Sequence, residues 1–215
     1  MTMAELADNA IQLFFVFVCG LYSLVRLLKT KSYNWLFIVL FYLSFGIGMT
    51  YWVLYIVLFD CPPQVFCISE LNWTASYIFL AMRLAYGENE TQRRCRNNPL
   101  FWILPVFSLV MGIFFLIRGS YFENVLMGSG IAVCGFYAVR GLYFARKSNN
   151  KNRIWICGAV IFFYAAEYLL WISSYFWVDG TFFNPYFLAD TFVLNPALIM
   201  LAAAQRKEDG ICHTI

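Results

Sequence analysis

Hydrophobic residues along this chain gather in seven blocks, at positions 9–28, 34–59, 68–86, 99–117, 121–145, 154–177 and 185–204, separated by short polar stretches. A helix needs roughly 20 apolar residues to cross a hydrocarbon core about 30 Å thick, and each block approaches or exceeds that length. Backbone amides in lipid must be satisfied inside one element or inside a closed barrel, and blocks this long with connections this short predict helices. The expected architecture is therefore an all-α membrane protein with seven transmembrane helices. Residues 1–215 would form a single transmembrane domain with no separate soluble unit.

Composition supports the lipid solvent: 62% of residues are hydrophobic, only 13% are charged, and the mean hydropathy is +0.67. A soluble domain would carry more polar surface. The few charges predict an orientation. Glu5 and Asp8 precede the first block, whereas Lys29 and Lys31 follow it. Arg93, Arg94 and Arg96 follow the third block, Arg146, Lys147, Lys151 and Arg153 separate the fifth from the sixth, and Arg206 and Lys207 follow the seventh. The alternate connections hold Asp60, Asp179 and the single base Arg118. The positive-inside rule then sets the N-terminus outside and the C-terminus in the cytoplasm, with the plasma membrane as the expected location. Arg26 and Arg83, near block ends, are expected to snorkel to the inner surface, and the deeper Arg140 either to snorkel or to pair with a carboxylate. The net charge of +3 is accounted for in this way and calls for no nucleic-acid partner. No basic stretch precedes the first block, which reads as an uncleaved helix.

Of the seven cysteines, Cys61 and Cys67 bracket the connection Cys-Pro-Pro-Gln-Val-Phe-Cys on the expected outer side. There they could either close a small disulfide ring or stay reduced. No metal site is expected, because no CxxC pair exists and His213, the one histidine, lies in the C-terminal tail. No cofactor is expected either: there is no HExxH, GxSxG or glycine-rich phosphate loop.

The pentapeptide Val18-Cys19-Gly20-Leu21-Tyr22 has an echo in Val133-Cys134-Gly135-Phe136-Tyr137. Further matches keep a similar register: Arg26 with Arg140, Lys31-Ser32 with Lys147-Ser148, Trp35 with Trp155, Phe41-Tyr42 with Phe163-Tyr164, and Glu70 with Asp190. They are consistent either with chance in so aromatic a chain or with a parallel 3+1+3 duplication, residues 9–86 and 121–204 joined by a linking helix at 99–117. Seven spans in that arrangement with the N-terminus outside resemble the transporter/opsin/receptor superfamily, which includes SWEET-type sugar carriers and lysoplasmalogenase-like membrane proteins. The resemblance implies a seven-helix bundle and rests on topology. The chain departs from the pattern in having no lysine in the seventh block for a retinal Schiff base. Its Pro63-Gln64 lies in a connection, and Ile199 stands where a receptor would have tyrosine after Asn195-Pro196.

Ionisable groups inside a span are costly and point to function. Glu167 is about 13 residues into the sixth block, roughly 20 Å deep at 1.5 Å per residue. Glu70 and Asn72 begin the third block, Glu123 lies at the start of the fifth, and Asp190 is near the start of the seventh. Trp73, Ser76 and Tyr77 share one face of the third block, and Trp171, Ser174 and Tyr175 share one face of the sixth, at i, i+3 and i+4. Two readings of these residues stay open. In one, Glu167 is the charge or proton site of an outward-facing pocket, with Glu70, Asn72 and Asp190 at its mouth and Trp73, Tyr77, Trp171 and Tyr175 as stacking walls. In the other, the aromatic groups fill helix contacts and Glu167 fixes packing. Asn195-Pro196 would kink the seventh helix, as a hinge or as fixed geometry.

The favoured function is binding and translocation of a small polar or cationic solute. A receptor-like sensor signalling through its basic connections is the alternative, and a lipid-modifying hydrolase using Glu167 and Asp190 is the third reading. The partners expected are the lipid bilayer, a small-molecule solute and either a second copy of the chain or a signalling protein.

Overall fold

A computed structural model describes residues 3–61, 68–94, 98–117, 121–177 and 183–209, and every regular element among them is helical. In order these are α1 (Met3–Thr30), α2 (Tyr33–Phe59), α3 (Ile68–Tyr86) and the short α4 (Glu90–Arg94). A 3₁₀ turn (Pro99–Trp102) leads into α5 (Ile103–Leu116), which is followed by α6 (Tyr121–Lys147) and α7 (Lys151–Phe176). The last rod is composite: α8 (Pro185–Ala189), a π-helical turn (Asp190–Leu194) and α9 (Asn195–Asp209).

The expectation of seven transmembrane helices is corrected. Among the described residues six helices are long and apolar enough to cross a membrane: Ala4–Thr30, Tyr33–Phe59, Pro99–Leu116, Asn124–Lys147, Lys151–Phe176 and Pro185–Asp209. The exception is α3, whose 19 residues include Ser69, Glu70, Asn72, Thr74, Ser76 and Arg83. Counting block length alone overlooked how these dilute its hydropathy. Most of them are buried against protein: Ser69, Glu70, Thr74, Ser76 and Arg83 all lie in the interior, as polar side chains on a helix enclosed by others can.

Helix contacts run in a ring. α1 packs on α2, α2 on α3, α3 on α6, α6 on α7, α7 on α9, and α9 returns to α1. α5 lies outside this ring against α6, and only 17% of its span is buried, against 56% for α7. The starts of α1 and of α8 meet at one end of the bundle, called the amino end below. The end of α9 meets the starts of α2 and α7 and the end of α3 at the opposite, carboxyl end.

Local chemistry sets the turns. Lys31 takes a left-handed φ of 51°, and Ser32 then caps α2 by accepting from the Asn34 amide at 3.3 Å. The α6–α7 turn uses the same device, with Asn149 at φ 53° and Asn150 capping α7 through the Arg153 amide at 3.1 Å. The π-helical turn also has a local cause. Pro196 has no N–H to give to the Phe192 carbonyl four residues back, and its ring crowds that carbonyl, so the preceding turn widens.

The core is aromatic and crosses the ring. Trp35, Ile38, Phe41, Tyr42 and Phe45 of α2 are buried with Ile156, Val160, Phe163 and Tyr164 of α7. Gly20 lies against Tyr42, and Gly135 lies against Tyr164 and Leu104. Exposed large apolar side chains such as Phe14, Leu21, Leu28, Leu58 and Ile113 cover the outer faces, as lipid requires.

Candidate functional site

Three polar or aromatic layers succeed one another along the bundle. At the amino end, one turn of α1 and the π-helical turn bring together Asp8, Gln12, Asp190 and Thr191. The Gln12 Nε2 donates to Asp190 Oδ1 at 2.7 Å, and the Thr191 hydroxyl donates to Asp8 Oδ1 at 3.0 Å. Because Thr191 follows Asp190 in the chain, these two bonds bring the Asp8 and Asp190 carboxyl groups into one buried cluster. Two carboxyl groups buried in one cluster repel when both are ionised, so the site favours a proton or a cation. Asp8, Gln12 and Asp190 are all at most 4% exposed, so water does little to screen the pair.

Glu167 is 3% exposed and faces the Tyr77 side chain across the bundle. Its Oε1 has no hydrogen-bond partner among the described residues, and neither do the two amide atoms of the buried Asn195. Buried polar atoms left in this state are costly unless water or a ligand meets them. The Tyr186 side chain lies within electrostatic range of Asp190, Asp8 and Glu167 and links the pair to the deeper acid. The described bases all lie toward the other end of the helices that carry them.

The middle layer is aromatic. Phe163 packs against Phe41, Phe45 and Tyr77, with ring centroids 5.4, 6.3 and 6.1 Å away. Below it, the carboxyl end is a lattice of ion pairs. Glu208 near the end of α9 is clamped by Arg83 of α3 and, at 3.3 Å, by Arg153 of α7. Arg83 Nε donates to Gln205 Oε1 at 2.6 Å, and Arg153 Nη2 donates to the Leu84 carbonyl at 2.5 Å. The Trp35 indole N–H donates to Asp209. Arg140 pairs with Glu88 at 3.1 Å. Burial raises the Glu88 carboxyl above the usual carboxylate range, against the opposing pull of the Arg140, Arg153 and Arg93 guanidiniums.

The residues singled out from sequence divide on this frame. Glu167, Tyr77 and Asp190 fall on or beside the acidic layer. Trp73 instead packs on Trp52 at 5.7 Å, between α2 and α3. Trp171 and Tyr175 turn toward α5, where each meets Phe115, at 6.1 and 5.1 Å. Trp73 therefore has its ring contact on α2 while Trp171 and Tyr175 have theirs on α5, and the four aromatic side chains do not form one wall. Glu70 is buried at the start of α3, and Asn72 donates back to the Ile68 carbonyl at 2.7 Å. Asn195 and Pro196 begin α9 directly after the π-helical turn. Cys67 lies outside the described residues, and with it the Cys61–Cys67 pairing; Glu123 lies in α6 but its side chain is likewise outside the description. Arg83 does not snorkel: it is fully buried and paired. Arg140 takes the second of its two expected courses.

Sequence reasoning passed over both Asp8, read only as an acid preceding the first block, and Gln12, within that block. Their i, i+4 spacing was the available signal, since it places both on one helical face. Nothing in the sequence pointed Arg83 at Glu208, because the two lie in distant segments.

Two cavities among the described residues lie elsewhere. One, of about 580 Å³, is an apolar groove between α1 and α2. The other, of about 480 Å³, opens at the carboxyl end between α2, α3 and α6. Comparisons of the chain with protein-family models, with curated proteins and with solved structures give no match.

Proposed function

We propose that this polytopic helical membrane protein binds a small cationic or protonatable solute in its acidic layer and carries it across the bilayer. The observation that carries the reading is the Asp8–Asp190 pair, held by Gln12 and Thr191 and backed by Glu167. Three buried acids on one side of an aromatic barrier need positive charge, and a proton or an amine supplies it. The unpartnered oxygen of Glu167 gives the second contact for such a group. Movement would come from the composite last rod, since a helix interrupted near an acid supports rocking or gating about a fixed site. In this reading the amino end faces outward, because the described bases collect at the other end. It also takes residues 9–86 and 121–204 as related units, supported by the shared Lys31/Asn149 turns and by the Gly20–Tyr42 and Gly135–Tyr164 contacts.

The test is uptake of organic amines into proteoliposomes under an imposed pH gradient. Asp190→Asn and Glu167→Gln should each reduce uptake at least tenfold, while Glu90→Gln on the exposed α4 should leave it unchanged. Equal uptake by all four proteins would end the proposal, as would no uptake of any amine by protein that thermal-shift assays show to be folded.

A second reading rests on the same pair. Two carboxyl groups sharing a proton are an acid–base couple, which near the membrane surface could hydrolyse a lipid ester or ether. Release of water-soluble headgroup from lysophospholipid, lost in Asp8→Asn, would favour it over transport.

A further inference from the structure

The groove at the carboxyl end has an electrostatic imbalance. Its walls are Phe37 of α2, Met82 and Tyr86 of α3, Tyr137 and Arg140 of α6, and Arg93 of α4. Around it, Glu88 is the carboxylate that answers Arg140, Arg93 and the nearby Arg153. Arg153 is also engaged by Glu208, which it shares with Arg83. Lining the groove itself, the guanidiniums of Arg140 and Arg93 face the single carboxylate of Glu88, which leaves an excess of positive charge.

Arg140 is the most confined of the groove cations. It is 7% exposed and held by the Gln92 carbonyl, and its guanidinium stands 5.9 Å from the Phe101 and Phe136 ring centres. Its Nε and Glu88 Oε1 stand 3.1 Å apart without hydrogen-bond geometry. The pair is electrostatic and leaves donor capacity unspent. A confined cation beside lipid whose carboxylate leaves its donors unspent gains from a second anion that can accept from them.

The walls indicate where that anion comes from. Met82 and Tyr86 are about half exposed on the outer face of α3, where exposed apolar residues of neighbouring helices meet lipid. Phe37 and Tyr86 meet at the rim with ring centroids 5.8 Å apart and planes tilted by 58°. A ligand reaching the guanidiniums passes apolar and tyrosine side chains first, which suits a molecule with acyl chains in the bilayer and a charged head at its surface. We infer that this groove binds the phosphate of an anionic phospholipid, with Arg140 and Arg93 as the phosphate ligands and Glu88 as the group it competes with.

The test is lipid binding to the detergent-purified full chain, followed by native mass spectrometry and thermal shift. The probes are phosphatidylglycerol, phosphatidylcholine and free glycerol phosphate. Arg93 is exposed on α4, so Arg93→Gln leaves the core untouched. That variant should bind phosphatidylglycerol about fivefold more weakly. Glu88→Gln should bind it more tightly. Lys147→Gln, which removes an exposed base at the same end but outside the groove, should match the parent, and phosphatidylcholine should not bind with comparable affinity. Equal phosphatidylglycerol binding by the parent and by Arg93→Gln would overturn the inference. Competition by glycerol phosphate as strong as by the lipid would assign the site to a soluble phosphate and overturn the lipid source.

Discussion

Phe41 of α2 and Phe163 of α7 meet edge to face in the middle of the bundle, their ring centroids 5.4 Å apart and their planes at 84°. Both are essentially inaccessible to solvent. The edge of one ring carries partial positive charge and the face of the other partial negative, so this geometry adds about 0.5–1.5 kcal/mol beyond apolar burial. Their position matters more than that energy. The carboxyl groups of Asp8, Asp190 and Glu167 lie to one side of the contact and the Arg83–Glu208–Arg153 lattice to the other, so in the transport reading proposed above a solute would have to part these rings.

Removing the negative member of the lattice should be costly. Glu208→Gln removes the carboxylate that the buried Arg83 shares with Arg153. Breaking one partner of such a pair costs about 3–5 kcal/mol. Thermal unfolding in detergent should show a large fall in midpoint, and Glu90→Gln, in an exposed pair on α4, should show almost none.

Two glycines separate close approach from open surface. An added Cβ at Gly135 would stand 2.8 Å from Leu104 Cβ, a rigid atom fixed to the α5 backbone. Gly135→Ala should therefore destabilise by about 1–3 kcal/mol through overpacking. At Gly112 nothing lies within 4 Å of such an atom, and Gly112→Ala should stabilise by about 0.5–1 kcal/mol through helix propensity. Paired thermal-shift measurements check both signs.

Gln12 orients the acidic pair through its bond to Asp190. Gln12→Met keeps the volume and removes the donor, which should cost about 1–3 kcal/mol by leaving a buried acceptor unsatisfied. In the transport reading it should also alter the pH profile of amine uptake, a readout that simple loss of stability would not shift.

Pro196 is responsible for the widened turn that presents Asp190. Pro196→Ala restores the missing N–H and removes the ring, so the turn should tighten toward α-helical geometry. A proline inside a helix costs about 3 kcal/mol, and the variant should gain a part of that in thermal stability. Hydrogen exchange at Asn195–Leu198 should slow. Uptake should fall, because the regular helix no longer yields at the acid. A variant as active as the parent would show the turn to be fixed geometry rather than a moving part.

Much of the fold was legible because apolar block length reports directly on the solvent. The boundaries of α2, α3 and α7 follow the hydrophobic blocks to within a few residues, and Ser32 and Asn150 sit where helix caps belong. α3 falls short of the apolar character of a span because Glu70, Asn72 and Arg83 dilute its hydropathy, which block length alone does not register. The site was half legible. Glu167 and Asp190 stood out as acids inside apolar blocks, but Trp171 and Tyr175 share a helical face that looks toward α5 and Phe115. Periodicity identifies a face and leaves its neighbour open.

Sequence alone determined that the chain lives in lipid, that it is helical, and that its bases gather toward alternate helix ends. These follow from transfer free energies and backbone hydrogen bonding, which act residue by residue. Only the tertiary structure decided that Asp8 meets Asp190 across most of the chain length, that Arg83 turns inward to Glu208, and that Phe41 touches Phe163. Those pairings depend on how the ring of helices closes, a property of packing between surfaces that no single helix carries.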